Sequence, residues 1–398
     1  MKVLLLENIN PGAAEHFRNQ GYAVTDFPDA LDEQELLEQL PGVQILGIRS
    51  KTRISAAVLA GSPDLQAIGT FCIGTKQVEL AASLGLGIPV FNAPYSNTRS
   101  VVELTLAEIM TLSRNVIVKS SKAHAGIWDK AARGSREIRG KTLGIVGYGN
   151  IGSQLSVLAE ALGMYVCYYD IDEKLSLGNA RKCGSLKELL KNADVVSIHV
   201  DDRAENESLI AAREFGQMKP GVLFLNSSRG RVVDLKSLAQ ALTSGRVKGA
   251  AIDVFPEEPK SNDELFSCIL QGLPNVILTP HIGGSTEEAQ IQIADFVPRQ
   301  IIDYLETGNT SMSVNFPQLQ LSTFKNAHRF IHMHHNEPGV LADINRIFAN
   351  RKINIVGQYL KTNESIGYMI TDVSKNYSPK VIRELQEIPH TIRFKILY

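Results

Sequence analysis

No apolar run in this 398-residue chain approaches the ~18 residues that a membrane-spanning helix needs. The opening Met1-Lys2-Val3-Leu4-Leu5-Leu6 runs straight into Glu7 and Asn8, too short for a secretory core with its cleavage site, and reads as a first strand. Cysteine is sparse as well. Cys72, Cys167, Cys183 and Cys268 form no C-x-x-C pair, so neither a disulfide framework nor a zinc ribbon is indicated, and reduced thiols in a cytoplasmic protein are the expectation. Excess charge is missing too: 41 Lys and Arg stand against 42 Asp and Glu, a net charge of −1 without the basic surplus of a nucleic-acid binder. Neither nucleic acid nor membrane is therefore expected as a partner. The 44% hydrophobic and 21% charged content is that of a globular protein, and the length suggests two or three domains at about 150 residues each.

Charge is unevenly spread. Residues 326–398 carry ten Lys and Arg against six Asp and Glu, which leaves −5 for the remainder and marks a separate C-terminal module. Before it, short apolar strand candidates alternate with helical stretches. A first set lies at 2–6, 43–48, 65–68 and 88–91, followed by a long helical pattern over 100–118. A second set lies at Thr142–Val146, Tyr165–Tyr169, 194–199, 222–225, 250–254 and Val276–Leu278, and a helix is predicted over 285–307. Runs apolar on both faces belong to covered parallel sheets, so two α/β domains are expected, Rossmann-like or flavodoxin-like. The C-terminal order changes to a strand at 327–334, a helix to 349, strands at 355–360 and 367–373, a helix at 379–386 and a strand at 391–397. That βαββαβ order is ferredoxin-like. The expected division is 1–99 with 283–314, then 100–282, a linker at 315–324, and a last domain at 325–398.

Gly147-Tyr148-Gly149-Asn150-Ile151-Gly152 follows one predicted strand and opens a helix, and the next strand ends at Asp170. A lone G-x-G-x-x-G is weak, but in this βαβ context it predicts a dinucleotide site. Gly147 allows the turn, Gly149 lets the pyrophosphate approach, and Gly152 lets helix and strand pack closely. Asp170 would accept the ribose hydroxyls and repel a 2′-phosphate, which favours NAD over NADP.

Three polar clusters follow predicted strands at the edge where α/β sheets bind ligands. They are Asn226-Ser227-Ser228-Arg229-Gly230, Asp253 with Pro256-Glu257-Glu258-Pro259, and Thr279-Pro280-His281-Ile282-Gly283-Gly284. Hydride removal from an alcohol also releases a proton, so a base working near neutral pH is needed, and His281 suits that role. A carboxylate beside it would fix its tautomer and favour imidazolium, and Arg229 can hold a substrate carboxylate bidentately. Spacing alone does not choose between Glu257 and Glu258.

These segments, together with Arg49-Ser50-Lys51-Thr52, Phe71-Cys72-Ile73-Gly74-Thr75 and Phe91-Asn92-Ala93-Pro94-Tyr95-Ser96-Asn97-Thr98-Arg99-Ser100, resemble the D-isomer-specific 2-hydroxyacid dehydrogenases. The C-terminal module is similar to the ACT regulatory domain that some members carry. The resemblance implies Arg229 as substrate binder, Glu258 as partner of the base and His281 as acid and base. It implies NAD contacts from Gly147, Gly149, Asn150, Ile151, Gly152, Asp170, Ser227, Ser228, Arg229, Asp253, His281, Ile282, Gly283 and Gly284. It further implies 3-phospho-D-glycerate as substrate, some reduction of 2-oxoglutarate, and a homo-oligomer, expected as a tetramer through ACT and NAD-domain contacts. The substrate phosphate is assigned to Arg49 and Lys51 with help from Lys130, against the plain alternative of a solvated charged loop. Two departures stand out: Asp201 replaces a common proline after His199-Val200, and Lys51 replaces a frequent arginine.

His328, His332, His334 and His335 invite a metal reading, but no carboxylate or thiol completes the set nearby, so no metal is expected. By resemblance, His334, Asn336 and Asn354 would instead bind L-serine as an effector. Two other readings stay open: a glyoxylate or hydroxypyruvate reductase of the same family, and a non-catalytic NAD(H)-sensing protein.

Overall fold

The computed structural model describes residues 1–259, 263–323, 326–375 and 377–397. The chain divides into two compact units, Asn97–Ala289 and the remainder, Met1–Ser96 with Gln290–Tyr398.

The first sheet is parallel: β1 (Lys2–Leu5), β2 (Ala23–Asp26), β3 (Ile45–Ile48), β4 (Ala67–Thr70) and β5 (Val90–Phe91), in the order β2-β1-β3-β4-β5. This is the flavodoxin-like order. The edge strand β2 was absent from the sequence reading because three of its four residues are exposed and carry no apolar run.

The unit Asn97–Ala289 is built on β6 (Thr142–Val146), β7 (Tyr165–Tyr169), β8 (Arg181–Lys182), β9 (Val195–Ile198), β10 (Val222–Asn226), β11 (Val247–Ile252) and β12 (Val276–Leu278). Their order is β12-β11-β10-β9-β6-β7-β8, all parallel, the doubly wound arrangement with its switch point between β6 and β9. The long helix expected over 100–118 is two helices, Thr98–Arg114 and Val116–His124. Asn115 breaks it by adopting the left-handed conformation at φ 52°, which a short amide side chain tolerates better than most. Strand β11 starts three residues earlier than expected and ends at Ile252, so Asp253 and Val254 belong to the following loop.

The C-terminal sheet is antiparallel: β13 (Ala327–His335), β14 (Ile355–Thr362), β15 (Ile366–Ser374) and β16 (Thr391–Ile396), ordered β14-β15-β13-β16. Alternation sends Phe330, Met369 and Val373 to its own helices. Ile331, Met333, Tyr368 and Ile370 go to the opposite face, where they share one core with Val3, Phe91 and Ile301. This sheet is therefore built into the same compact unit as the first one, rather than standing as an isolated module. The segment expected as a linker is bonded in place. Asn315 accepts from Val90 N–H at 2.9 Å and donates to Ile88 O at 3.1 Å, and Phe316 is buried. Phe324 at its end, and Lys325 at the start of the expected last domain, lie outside the described residues.

Candidate active site

One register row crosses the parallel sheet of the unit Asn97–Ala289 at its carboxyl edge: Tyr169, Val146, Ile198, Asn226, Ile252 and Leu278 are successive partners. The next residues in the chain, Asp170, Gly147, His199, Ser227, Asp253 and Thr279, therefore all leave the sheet on one side. Strand pairing alone thus gathers every cluster that the sequence singled out in this unit, apart from Lys130.

The glycine turn is built as its chemistry requires. Gly147 has φ 92°, and a Cβ there would lie 2.5 Å from His199 O. A Cβ on Gly152 would lie 2.3 Å from Gly147 O, so helix and turn could not close with any larger residue. Gly149 faces open space, and no side chain caps the helix Asn150–Ala161 that starts after it. Open approach plus an uncapped helix N-terminus suits a pyrophosphate. Asp170 accepts Tyr148 N–H at 2.7 Å on one oxygen and Asp172 N–H at 2.9 Å on the other, and each oxygen keeps a lone pair for a ribose hydroxyl. The nearby cations are engaged elsewhere, Lys174 on Asp172 at 3.0 Å and Lys182 on Glu173 at 2.6 Å. Ser227 Oγ is buried and has no partner among the described residues, which leaves it available to a ligand. These groups fit NAD, which supplies the hydride acceptor or donor when bound.

His281 and Glu258 meet between two loops. His281 Nδ1 lies 2.8 Å from Glu258 Oε2, while Glu258 Oε1 accepts Phe255 N–H at 3.0 Å. The hydrogen bond to Glu258 raises the pKa of His281 above its usual value, against the opposing effect of burial, with the charges of Glu258 and Asp253 adding to the rise and that of Arg229 opposing it. Burial alone would raise Glu258, but the His281 bond, the Phe255 amide and the charges of His281 and Arg229 together leave it below the usual value. Pairing selects Glu258 over Glu257. With Nδ1 on Glu258, any proton exchange by this ring would run through Nε2.

Asp253 is almost fully buried and anchors the histidine loop. Its carboxylate accepts Thr279 Oγ1 at 2.7 Å, Ile282 N–H at 2.8 Å and Gly283 N–H at 2.8 Å. His281 itself sits at φ 54°. The residue assigned by resemblance to NAD is thus in this structure the post of the turn that presents His281. Asn226 does the same for the arginine loop: its Oδ1 accepts Ser228 N–H and Oγ, and its Nδ2 donates to Arg229 O at 3.1 Å. Ser228 is consumed in that staple. Arg229 donates Nη1 to Ser228 O at 2.7 Å and is partly buried. Gly230 lets the two loops meet, since a Cβ there would lie 2.0 Å from Phe255 C.

Three residues in and around this edge escaped the sequence reading. Asn226 carries no expected role in its motif, although Asn two residues before a bonded Ser is a turn signal. His199 is held at Nε2 by Ser197 Oγ at 2.8 Å, and burial pushes its pKa down to about 4. Glu108, on the helix Thr98–Arg114, is 3% exposed with neither oxygen partnered among the described residues, and burial, helped by the charge of Asp253, pushes it up to about 8. The loop that begins with Asp201 is held by that carboxylate, which takes Arg203 Nε at 2.7 Å and Asn206 Nδ2 at 2.9 Å.

The remaining candidates lie elsewhere. Lys130 is exposed and makes no hydrogen bond or ion pair to Arg229, Glu258 or His281 among the described residues. Arg49 and Lys51 follow β3 in the other unit, where their turn is held by Glu7. In the C-terminal domain His334 is buried, its Nδ1 on His335 O at 2.7 Å and its Nε2 without a partner among the described residues, whereas Asn336 and Asn354 are exposed. His332 is also buried, on Thr391 Oγ1 at 2.8 Å, and burial pushes it down to about 4. Among the described residues no group of three His, Cys, Asp or Glu could hold a metal. All four cysteines are unpaired, and burial pushes Cys72 up to about 11 and Cys167 to about 12.

A glycine-turn NAD site with an imidazole–carboxylate pair at the same sheet edge defines a nicotinamide-dependent dehydrogenase. Residues 106–283 match the D-isomer specific 2-hydroxyacid dehydrogenase NAD binding domain, and 330–393 match the acetohydroxyacid-synthase small-subunit-like ACT domain. The chain is 48% identical over 399 residues to D-3-phosphoglycerate dehydrogenase of Haemophilus influenzae, covering 100% of this chain and 97% of the relative. It is 47% identical over 401 residues to the enzyme of that name from Escherichia coli K12, covering 100% and 98%. The solved structure of the TT0316 protein from Thermus thermophilus overlays with a TM-score of 0.71 at 31% identity, over 79% of this chain and 100% of that one. The chain belongs to the D-isomer-specific 2-hydroxyacid dehydrogenase family, as an NAD-dependent oxidoreductase with a C-terminal ACT domain.

Proposed function

We propose that this protein oxidises 3-phospho-D-glycerate to 3-phosphohydroxypyruvate with NAD, the entry to serine synthesis, and that L-serine inhibits it. The observation that carries the chemistry is the His281–Glu258 pair, 2.8 Å apart, beside the Arg229 loop. Arg229 binds the substrate carboxylate. His281 takes the hydroxyl proton as the hydride leaves, and Glu258 stabilises the imidazolium that forms. In reverse, His281 returns that proton to the carbonyl oxygen. Arg49 and Lys51 bind the phosphate as charges on a fixed turn, with Lys130 as a further cation for it. Relatives named for this reaction over the whole length of the chain support the substrate.

The serine site is assigned to His334, Asn336 and Asn354 of the ACT domain, supported by the buried Nε2 of His334, which has no partner among the described residues. Inhibition requires serine to bind one conformation better than another. A homotetramer is assigned through ACT and NAD-domain contacts. For the latter, Trp128 is 86% exposed and no residue of the helix Val116–His124 is buried, which is apolar surface suited to a second copy. A cytoplasmic location fits four unpaired cysteines and the lack, among the described residues, of any helix long and apolar enough to cross a membrane. Reduction of 2-oxoglutarate is proposed as a side activity.

The test is NADH consumption with 3-phosphohydroxypyruvate, with and without L-serine, beside 2-oxoglutarate and glyoxylate. Activity on the phosphorylated acid that serine suppresses is the expected result. Activity confined to unphosphorylated keto acids would remove the substrate assignment, and NADH binding without turnover would move the protein to a sensing role.

A further inference from the structure

Glu7 stands just beyond the end of β1, at φ 66°, and only 7% of it is exposed. Asn8 beside it is also left-handed at φ 51°. Two consecutive non-glycine residues in that region are costly and persist only where surrounding contacts fix them. The contacts here belong to another segment. Glu7 Oε1 accepts Arg49 N–H at 3.2 Å and Thr52 N–H at 2.8 Å, and Oε2 accepts Ser50 N–H and Lys51 N–H, each at 2.9 Å. Four successive amides of the 49–52 turn converge on one carboxylate. From the other side, Arg49 O accepts Gln77 Nε2 at 2.5 Å and Cys72 Sγ at 3.5 Å.

Converging amides of this kind form a nest that binds anions. In this protein the chain's own carboxylate fills the nest. The amides are therefore spent, so the charges that this turn can offer an incoming phosphate are those of the Arg49 and Lys51 side chains. Their backbone is then set by Glu7, and the four N–H bonds offset the repulsion its charge would otherwise exert on a phosphate. Lys51 is a point charge without the planar fork of arginine, so its aim depends on the backbone that carries it.

We propose that Glu7 is a positioning residue that fixes the 49–52 turn and thereby sets the preference for a phosphorylated over an unphosphorylated acid, a role that rests on Arg49 and Lys51 being the phosphate ligands. Glu7 does not touch the phosphate. Gln in its place would turn an NH2 donor toward amide donors, and Asp would fall short of the nest by one methylene.

The experiment compares Glu7→Gln, Glu7→Asp and Arg49→Ala with the parent on 3-phosphohydroxypyruvate and on hydroxypyruvate, each with NADH. Expected for all three is a ratio of kcat/KM, phosphorylated over unphosphorylated, that falls about ten-fold or more, chiefly through KM for the phosphorylated acid. If Arg49→Ala lowers the ratio while both Glu7 variants lower the two activities equally, or neither, Glu7 is structural and the inference is overturned with the phosphate assignment intact. If Arg49→Ala leaves the ratio unchanged, the phosphate assignment falls and takes this inference with it. Should Glu7→Gln fail to fold, Glu7→Asp, which keeps the charge, decides the matter on the same ratio.

Discussion

Glu258 and His281 come from different loops and meet through a 2.8 Å bond that leaves the carboxylate below, and the imidazole above, its usual pKa. Each partner thus favours the charged form of the other. With His281 as the acid proposed above, activity in reduction should fall as pH rises through the raised histidine value. Oxidation needs the neutral imidazole, so its rate should climb over the same range. Glu258→Gln removes the first cause of the shift. Its alkaline limb in reduction should move to lower pH, and kcat should drop about a hundred-fold. Parallel pH profiles of parent and variant check this, and an unmoved limb would show that Glu258 does not set the histidine's proton affinity.

Glu108 makes an opposite kind of prediction. Its ordinary value is 4.5 and burial lifts it to about 8 in the folded protein. Between those values the folded chain binds a proton that the unfolded chain has released, so this residue's contribution to stability falls as pH rises through the window and levels off above it. Glu108→Gln should therefore raise stability at pH 7, by at most about 3 kcal/mol. Urea unfolding at pH 5, 7 and 8.5 reads the effect, which should shrink toward pH 5. Equal stability change at all three pH values would show that the carboxyl is not held protonated.

What the sequence made legible follows from where its information is local. Strands β6, β7 and β12 stand at their predicted bounds because each is a continuous apolar run ended by Gly, Asp or Thr. The site loops were legible for the same reason, since parallel strands deliver their next residues to a common edge. Asn115 was not, because one left-handed residue inside a helical pattern leaves the periodicity nearly intact. Glu7 was not, because its four partners lie 42 to 45 residues away and its own surroundings read as an ordinary polar strand end. The docking of the C-terminal sheet was hidden as well. Ile331 and Met333 look like any inward-facing residues until a second core is found opposite them.

Gly230 offers a test of how closely the loops must meet. A methyl group there would fall 2.0 Å from Phe255 C and 2.1 Å from its oxygen, backbone that cannot swing aside like a side-chain tip. Gly230→Ala should push the Arg229 loop from the loop that carries Glu258, and a displacement near 1 Å can cost about a hundred-fold in rate. Steady-state kinetics should show that loss with NADH affinity, read by fluorescence titration, reduced far less. Full activity in the variant would mean that the two loops need not be in register for catalysis.

Arg329 and Asp372 are each completely buried and pair bidentately across β13 and β15, Nε on Oδ1 at 2.8 Å and Nη2 on Oδ2 at 2.7 Å. The same guanidinium donates to Thr307 O at 2.9 Å and Ser322 O at 2.8 Å, so it ties the C-terminal sheet to the segment that leads into it. A buried pair is weak evidence of net stability, because desolvating both charges consumes much of their attraction. Removing one partner is another matter. Asp372→Ala leaves the guanidinium buried without its carboxylate and should cost about 3–5 kcal/mol. The double substitution Arg329→Met with Asp372→Leu removes the charge that the single variant strands, and it should recover most of that loss. It also removes the ties to Thr307 and Ser322. The serine inhibition proposed above should therefore weaken in the double variant even where stability returns. Chemical unfolding together with serine titration separates the two effects, and a double variant as unstable as the single one would show that the bonds to Thr307 and Ser322, not the ion pair, hold the sheet in place.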